Sequence, residues 1–232
     1  MADRTEFLEA IRHRTRRGRY KPTKSPDSVW TPGVDRPGRE EIEDPPARFI
    51  EELEALGGHG KRADNLEEAR EYVLNLARER EAKLLVRWDV EYLEELGADE
   101  PLREADVEVM LWRDLPDLRE IAGRADIGLS TAAWAIAETG SLVLEHGPEQ
   151  GRSVTLLPPT YVAVLPVDRV LRTVPDAIQK YTGNTLPSNV CFHTGPSRSG
   201  DIEMSLVVGM HGPGDVHVVL VDSTIRTSKH VT

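Results

Sequence analysis

Residues with the chemistry of a binding site are concentrated in two stretches late in the chain. The first runs from Thr194 to Glu203 and reads Thr-Gly-Pro-Ser-Arg-Ser-Gly-Asp-Ile-Glu, and the second is His211-Gly212-Pro213. Glycine and proline set unusual backbone angles, whereas serine and aspartate form caps and short-range hydrogen bonds. A plain connecting turn does not need so many specialised residues. We therefore take the first stretch, called the 194–203 motif below, as the leading candidate for a binding site.

An anion is the ligand that this motif suits best. Gly195 lets the backbone approach a ligand closely, and Arg198 can donate two hydrogen bonds to one carboxylate or phosphate. A helix is predicted over residues 202–210. It would place Ser199 and Asp201 at its N-terminus, where backbone N–H groups without a helical partner favour negative charge.

A purely structural explanation accounts for only part of the motif. In that explanation Asp201 caps the helix, Glu203 interacts with the helix dipole in the first turn, and Arg198 pairs with one of the two acids. This explanation does not account for the preceding Gly-Pro-Ser-Arg run. The sequence therefore favours an anion site.

A second candidate segment, Glu138-Thr139-Gly140-Ser141, directly precedes the apolar run 142–144. Ligands of open α/β sheets bind near strand ends, so Glu138 could act as an acid, a base or a nucleophile. Glu138 could equally be a cap or turn residue that holds the loop in place. The sequence leaves both roles open.

Two further residues belong to the same prediction. Asn189 either orients the loop before the 194–203 motif or contacts the ligand, and His211 shares this loop region with Arg198. His211 and His217 do not have the spacing of a known metal signature, so no metal site is expected. The candidate catalytic residue is Glu138, and the candidate ligand-binding residues are Thr139, Gly140, Asn189, Gly195, Ser197, Arg198, Ser199, Asp201, Glu203 and His211.

Short apolar runs alternate with helix-like patterns along most of the chain. Helices are predicted over residues 46–57, from a cap at Asp64 or Asn65 to residue 77, and over 90–96, 115–122, 174–181 and 202–210. Strands are predicted over residues 83–88, 107–112, 141–145, 153–157, 161–165 and 216–221. This alternation predicts an α/β domain with an open, mainly parallel sheet flanked by helices. The close spacing of the strands between residues 141 and 165 predicts a hairpin or meander inserted into that order.

The first 45 residues differ in composition from the rest. Basic residues dominate residues 1–24, and residues 22–46 contain six prolines, which prevent a continuous helix. We predict a basic N-terminal helix and proline-rich arm over residues 1–45, followed by a single α/β domain over residues 46–232. The basic helix is either a solvated element or a docking arm for an acidic partner.

The composition argues against several functional classes. A net charge of −11 is unfavourable for general nucleic-acid binding. Cys191 is the only cysteine, so the chain cannot form an internal disulfide or a four-cysteine zinc or iron–sulfur site. Cys191 itself is expected in the core, because free cysteines are commonly buried as small apolar residues. Apolar runs fall short of the roughly 18–20 residues that span a bilayer, and no secretory signal is visible, so a cytoplasmic location is expected. The motifs of dinucleotide loops, phosphate-binding loops and nucleophile elbows are missing.

Several segments together resemble the lactate-utilisation protein C family, whose domain is the LUD domain. The matching stretches are Glu138-Thr-Gly-Ser-Leu-Val-Leu144, Leu156-Leu-Pro-Pro159, Ser188-Asn189, the 194–203 motif and Gly209-Met-His-Gly-Pro213 with the run 216–222. The family commonly reads Ser-Arg-Thr-Ala-Asp-Ile-Glu where this chain has Ser199 and Gly200 in place of threonine and alanine. These two differences keep the hydroxyl and every charged group.

The resemblance implies a fold similar to the sugar-phosphate isomerase and coenzyme A transferase superfamily. It also implies a role in oxidising L-lactate to pyruvate together with two iron–sulfur partner proteins. Because the chain has one cysteine and no nucleotide loop, no cofactor is expected in it, and the iron–sulfur clusters would belong to the partners. The expected ligand is a small carboxylate such as lactate or pyruvate.

Three functions stay open at this point. The chain could be a non-redox component of a lactate-oxidising system. It could be a free-standing enzyme of the acyl or coenzyme A transferase kind or of the isomerase kind, with Glu138 as nucleophile or base and Arg198 holding an acyl or phosphate group. It could also be a regulatory module that senses a carboxylate without transforming it.

Overall fold

The computed structural model describes residues 42–114, 123–182, 186–199, 207–208 and 212–222. The basic helix and almost all of the proline-rich arm lie outside the described residues, as does the helix predicted over 115–122. The first described helix begins at Pro45, next to the boundary expected between arm and domain. The division into residues 1–45 and 46–232 stays a prediction.

Helices and strands alternate along the described residues. The α-helices are α1 Pro45–Ala55, α2 Leu66–Glu79, α3 Glu91–Leu96, α4 Asp99–Glu104, α5 Arg152–Leu156 and α6 Val174–Gln179. The first strands are β1 His59–Ala63, β2 Leu84–Arg87, β3 Glu108–Leu111, β4 Ile127–Ser130, β5 Trp134–Ile136 and β6 Ser141–His146. The remaining strands are β7 Thr160–Pro166, β8 Val170–Leu171, β9 Asn189–His193, β10 Arg198–Ser199, β11 Val207–Val208 and β12 Asp215–Val221.

The centre of the fold is a six-stranded sheet with the order β1-β12-β7-β4-β2-β3. Every neighbouring pair in it is parallel. Its central strands β7 and β12 are rich in valine and almost completely buried, as expected for a parallel sheet covered on both faces. The predicted α/β fold with an open, mainly parallel sheet and flanking helices is confirmed.

Side chains on alternate strand positions meet different layers. Helix α2 contacts β1 and β12, whereas α1 contacts β1, β5 and β8. A side chain at Gly60 would meet Ile50 of α1, and the neighbouring Lys61 instead pairs with Glu68 of α2. The two helices therefore cover opposite faces of the main sheet.

A second sheet packs on the α1 side and has the order β8-β5-β6-β9. The strands β5, β6 and β9 pair antiparallel, and β8 joins β5 in parallel. The expectation of a hairpin or meander inserted into the main sheet between residues 141 and 165 is wrong, because β6 belongs to this second sheet while β7 lies in the main one.

The strand predicted over residues 153–157 is also wrong, because this segment is helix α5. Val154 and Thr155 are buried, and the Thr155 hydroxyl donates to the Arg152 carbonyl at 3.1 Å, a bond typical of helices. A buried run of five residues has no periodicity that separates a helix from a strand. The prolines Pro158 and Pro159 therefore join a helix to a strand rather than two strands.

The helix predicted over residues 202–210 is contradicted at Val207–Val208. These two β-branched residues form β11, which pairs antiparallel with Arg198–Ser199 in β10. Ser199 consequently lies in a strand and not at a helix N-terminus. The helix-dipole argument therefore does not apply to Ser199, and Asp201 lies outside the described residues.

Within the described part of the chain, none of the helices is long and apolar enough to cross a membrane.

Candidate functional site

The 194–203 motif begins in the wall of a cavity of about 460 Å³, within the range of small-molecule sites. The cavity lies between the end of β9, the ends of α1 and α5, and the segment that leads into β12. Its lining residues are Leu56, Leu156, Cys191, Phe192, His193, Thr194, Gly195, Pro196, Ser197, Gly212 and Pro213. Two segments that are separated in the sequence and that carry the family resemblance therefore meet in one cavity.

The cavity lies beside the N-terminal ends of two central parallel strands. Pro213 leads into β12, and Leu156 leads through the two prolines into β7. Backbone N–H groups of Gly214 and Asp215 donate to the Pro159 carbonyl at 3.1 and 3.2 Å, which fixes these two entries together. Ligands of open parallel sheets usually bind at the opposite, C-terminal ends of the strands.

Gly195 and Ser197 shape the cavity wall. Gly195 has a φ of +65°, in the left-handed region, and a Cβ there would lie 3.0 Å from Cβ of Leu56. The Ser197 N–H donates to the Pro213 carbonyl at 2.8 Å, so backbone bonding holds the two segments of the wall together. Both residues were predicted to bind ligand, and both line the cavity.

Three hydroxyl groups connect the second candidate segment to this wall. The Thr139 Oγ1 donates to the Ser141 Oγ at 2.8 Å, and the Ser141 Oγ lies 2.7 Å from the Thr194 Oγ1. Thr139 is therefore connected to the cavity residue Thr194 by hydrogen bonds through Ser141. These contacts bring the Glu138–Ser141 segment next to the start of the 194–203 motif.

Gly140 allows the turn between β5 and β6 to pack closely against α1. Its φ is +60°, and a Cβ at this position would lie 2.6 Å from the backbone nitrogen of Leu53. The turn between β5 and β6 therefore packs directly against the backbone of α1. This contact holds α1, whose following residue Leu56 lines the cavity, against the second sheet.

Glu138 lies at a different place from the cavity lining. Its side chain is exposed, and Oε2 accepts a hydrogen bond of 3.3 Å from the Val174 N–H in the first turn of α6. Glu138 is not among the described residues that line the cavity. Its geometry matches the cap-like role that the sequence left open, and a catalytic role stays a prediction.

Asn189 contacts a histidine rather than the cavity. Its Oδ1 lies 3.0 Å from Nδ1 of His146, its partner in the register between β6 and β9. Burial is the main cause that lowers the pKa of His146, and the hydrogen bond to Asn189 opposes that change. Asn189 thus matches the orienting role, and ligand contact stays a prediction.

The charged residues of the 194–203 motif are only partly described. The backbone of Arg198 and Ser199 directly follows Ser197 of the cavity wall. Asp201, Glu203 and His211 lie outside the described residues. Their predicted ligand contacts stay predictions.

His193 is a cavity residue that the sequence analysis did not select. Burial lowers the pKa of its imidazole to about 4, so the ring is neutral near pH 7. Its Nδ1 is buried without a hydrogen-bond partner among the described residues, and the ring lies edge-on to Tyr161 with centroids 5.1 Å apart. A buried ring nitrogen without a partner is unusual in a folded protein, and it makes His193 a candidate for a functional role. Its position directly before Thr194 was the available signal.

Cys191 lies two residues before His193 and lines the same cavity. It is half-buried, packs against the core, and burial raises the pKa of its thiol. The protonated thiol is a poor nucleophile, because the thiolate is the reactive form. Cys191 is thus a packing residue of the cavity wall.

The sequence of this chain is similar to one domain family and to several named proteins. The LUD domain model matches residues 46–221. Lactate utilization protein C of Halalkalibacterium halodurans is 37% identical over 157 residues, which cover 66% of this chain and 67% of that protein. The protein of the same name from Shouchella clausii is 38% identical over 145 residues, covering 61% of this chain and 63% of that one.

Other matches cover less of the relative's length or show the fold alone. Lactate utilization protein C of Oceanobacillus iheyensis is 40% identical over 107 residues, so this chain spans about half of it, 46%. A crystal structure of a DUF162 family protein from Deinococcus radiodurans superposes with a TM-score of 0.52 and 18% identity, covering 79% of this chain and 99% of that one. The family model, by contrast, takes in the main sheet, the second sheet and both segments of the cavity wall. The chain therefore belongs to the LUD domain family.

Proposed function

We propose that this chain is a cytoplasmic, non-redox component of an L-lactate utilisation system, and that its cavity binds a small carboxylate such as L-lactate or pyruvate. The printed names of the relatives, lactate utilization protein C, support the pathway. The observation that carries the proposal is the cavity itself, because it is built by the two segments on which the family resemblance rests.

The described cavity wall contains groups that can donate hydrogen bonds to a carboxylate, but it contains no permanently charged cation. The described lining residues carry no formal charge at neutral pH, and the polar ones among them are His193, Thr194 and Ser197. Hydroxyl and imidazole groups can donate to a carboxylate. In this proposal Arg198, the residue after Ser197 in the sequence, supplies positive charge together with a proton that His193 would take up when the anion binds.

Electron transfer belongs to other proteins in this proposal. Cys191 is the single cysteine of the sequence, and an iron–sulfur cluster typically takes four cysteine ligands. We therefore propose that two iron–sulfur lactate-utilisation proteins carry the electrons. The basic residues 1–24, which contrast with a net charge of −11 for the whole chain, would dock to an acidic surface of such a partner.

The transferase alternative has less geometric support. It requires Glu138 to attack or deprotonate a ligand, whereas its carboxylate accepts from Val174 N–H and is absent from the described cavity lining. The sensing alternative uses the same cavity and the same carboxylate, and it differs only in whether the pathway needs this chain for flux.

Growth on lactate tests the proposal in a strain that lacks this chain. Complementation with wild type should restore growth, and Arg198→Ala should reduce it at least about tenfold, because the charged partner of the carboxylate is lost. Arg78→Ala is the matched control, since Arg78 is exposed on α2 and donates only to Asn75 in the described contacts. Growth of the Arg198→Ala strain at the wild-type rate would contradict the proposed anion site.

A further inference from the structure

A cluster of two histidines and one carboxylate lies on the opposite face of the main sheet from the cavity. It consists of His59 at the start of β1 and of Asp215 and His217 on β12, which pairs with β1 so that His59 and His217 are direct neighbours. We propose that this cluster is a binding site for a divalent transition-metal ion, with Zn²⁺ as the ion to test. The site is separate from the carboxylate cavity and does not depend on it.

The distances within the cluster suit coordination of one ion. Nε2 of His217 lies 2.9 Å from Oδ1 of Asp215, and Nε2 of His59 lies 3.4 Å from the same oxygen. The three ligand atoms all lie within 4.8 Å of one another. Two ligands at about 2.0–2.1 Å from a tetrahedral zinc ion are roughly 3.3 Å apart. The His59 ring stacks on the His217 ring with centroids 4.5 Å apart, so a single ion can bind all three groups once the exposed His59 ring turns out of this stack.

His217 supplies a second, independent indication of a ligand. The residue is only 4% exposed, and its Nε2 has no hydrogen-bond partner within the described parts of the chain. Nε2 lies within ion-pair distance of Oδ1 of Asp215, but this contact does not have the geometry of a hydrogen bond. A buried polar atom without a partner is costly, so its orientation toward the other two ligands needs a cause. A metal ion provides it.

The groups around the cluster orient the ligands as they do in metal sites. The Tyr72 hydroxyl lies 2.7 Å from Nδ1 of His217, so a proton on Nδ1 leaves the Nε2 lone pair free for the ion. Arg80 donates to Oδ2 of Asp215 at 2.8 and 3.0 Å, which leaves Oδ1 directed at the two histidines. Two histidines and one carboxylate are the ligands of several zinc and iron centres that keep one position open.

A bound metal ion would link β1 and β12, and both strands closely follow residues of the cavity wall. His59 follows the cavity residue Leu56 by three positions, and Asp215 follows Pro213 by two. The three protein ligands leave at least one coordination position, on the side of the exposed His59, for water or an exchangeable anion.

Titration of the purified, chelator-treated full chain with Zn²⁺ by calorimetry tests the site. We expect one equivalent to bind to wild type, and His59→Ala to lower the zinc affinity at least about tenfold. Tyr72→Phe should lower it about tenfold through loss of the second-sphere hydrogen bond, although it removes no ligand. His230→Ala is the control for loss of a histidine and should bind as wild type does.

Two outcomes would overturn the proposal. The first is no stoichiometric zinc binding to wild type, which would make the cluster an ion-pair network only. The second is equal zinc affinity of wild type and His59→Ala, which would place the zinc elsewhere. Because His59 is exposed, its alanine variant should fold, and its urea unfolding midpoint in chelator, equal to that of wild type, verifies this.

Discussion

Gly140→Ala should lower the free energy of unfolding by about 2–5 kcal/mol. A left-handed residue other than glycine costs about 1–2 kcal/mol, and overpacking in a filled site adds about 1–3 kcal/mol. Both costs apply, because φ is +60° and the new Cβ would lie 2.6 Å from Leu53 N and 2.8 Å from Glu52 C. These are backbone atoms of α1, so a side-chain rotation cannot relieve the contact. Urea unfolding at neutral pH measures the loss as a lower midpoint.

Gly147→Ala is the matched control for this change. A Cβ at Gly147 would have its nearest described neighbour, Oε1 of Gln150, at 3.8 Å, an ordinary contact. Its effect should stay within about 0.5 kcal/mol. If Gly140→Ala were as stable as Gly147→Ala, the packing of the β5–β6 turn on α1 would not be as described, and the support of Leu56 in the cavity wall would be lost with it.

Asp99→Ala should lower the free energy of unfolding by about 3 kcal/mol, because it leaves a buried charge without its partner. The Arg87 side chain on β2 is only 5% exposed, and its Nε and Nη2 donate to the two oxygens of Asp99 at 2.9 and 2.8 Å. The remaining bond from Nη1 to the Trp88 carbonyl does not neutralise the guanidinium. Urea unfolding again measures the change.

Two further variants separate the buried pair from ordinary surface charge. Glu51→Ala removes an exposed partner of Arg48 on α1 and should cost at most about 0.5 kcal/mol. The double variant Arg87→Met with Asp99→Ala removes the charge together with its partner, and it should be at least about 1 kcal/mol more stable than Asp99→Ala. A double variant less stable than the single one would show that Arg87 is not held by this pair alone.

The main elements of the fold could be predicted because they depend on local patterns. The apolar runs that form β7 and β12 are rich in residues that favour strands, such as valine and tyrosine. Asn65 caps α2 by accepting from the Glu68 N–H at 2.9 Å. The wrong predictions fell where long-range packing decides. Helix α5 is too short to show a helical period, and β6 pairs with β9, more than 40 residues away.

The candidate site was predictable in its segments but not in its assembly. Composition alone indicated the 194–203 motif and Gly212-Pro213, and both contribute to the cavity wall. The importance of His193 depends on burial, which a sequence does not show. The cluster of His59 with Asp215 and His217 depends on the pairing of β1 with β12, whose paired residues lie more than 150 positions apart, and no local spacing reveals such a pairing.

Calorimetric titration of the purified chain with pyruvate and with L-lactate, at about pH 7.5 and about pH 5.5, tests the carboxylate site most directly. The pKa of His193 in the free protein is about 4, and a bound carboxylate should raise it toward its ordinary value of about 6.5. Binding then takes up a proton, so affinity should rise about tenfold as the pH falls between these values. His193→Asn cannot take up that proton and should bind equally at both pH values. The absence of saturable binding of either acid, or a wild-type affinity that does not change with pH, would contradict the account.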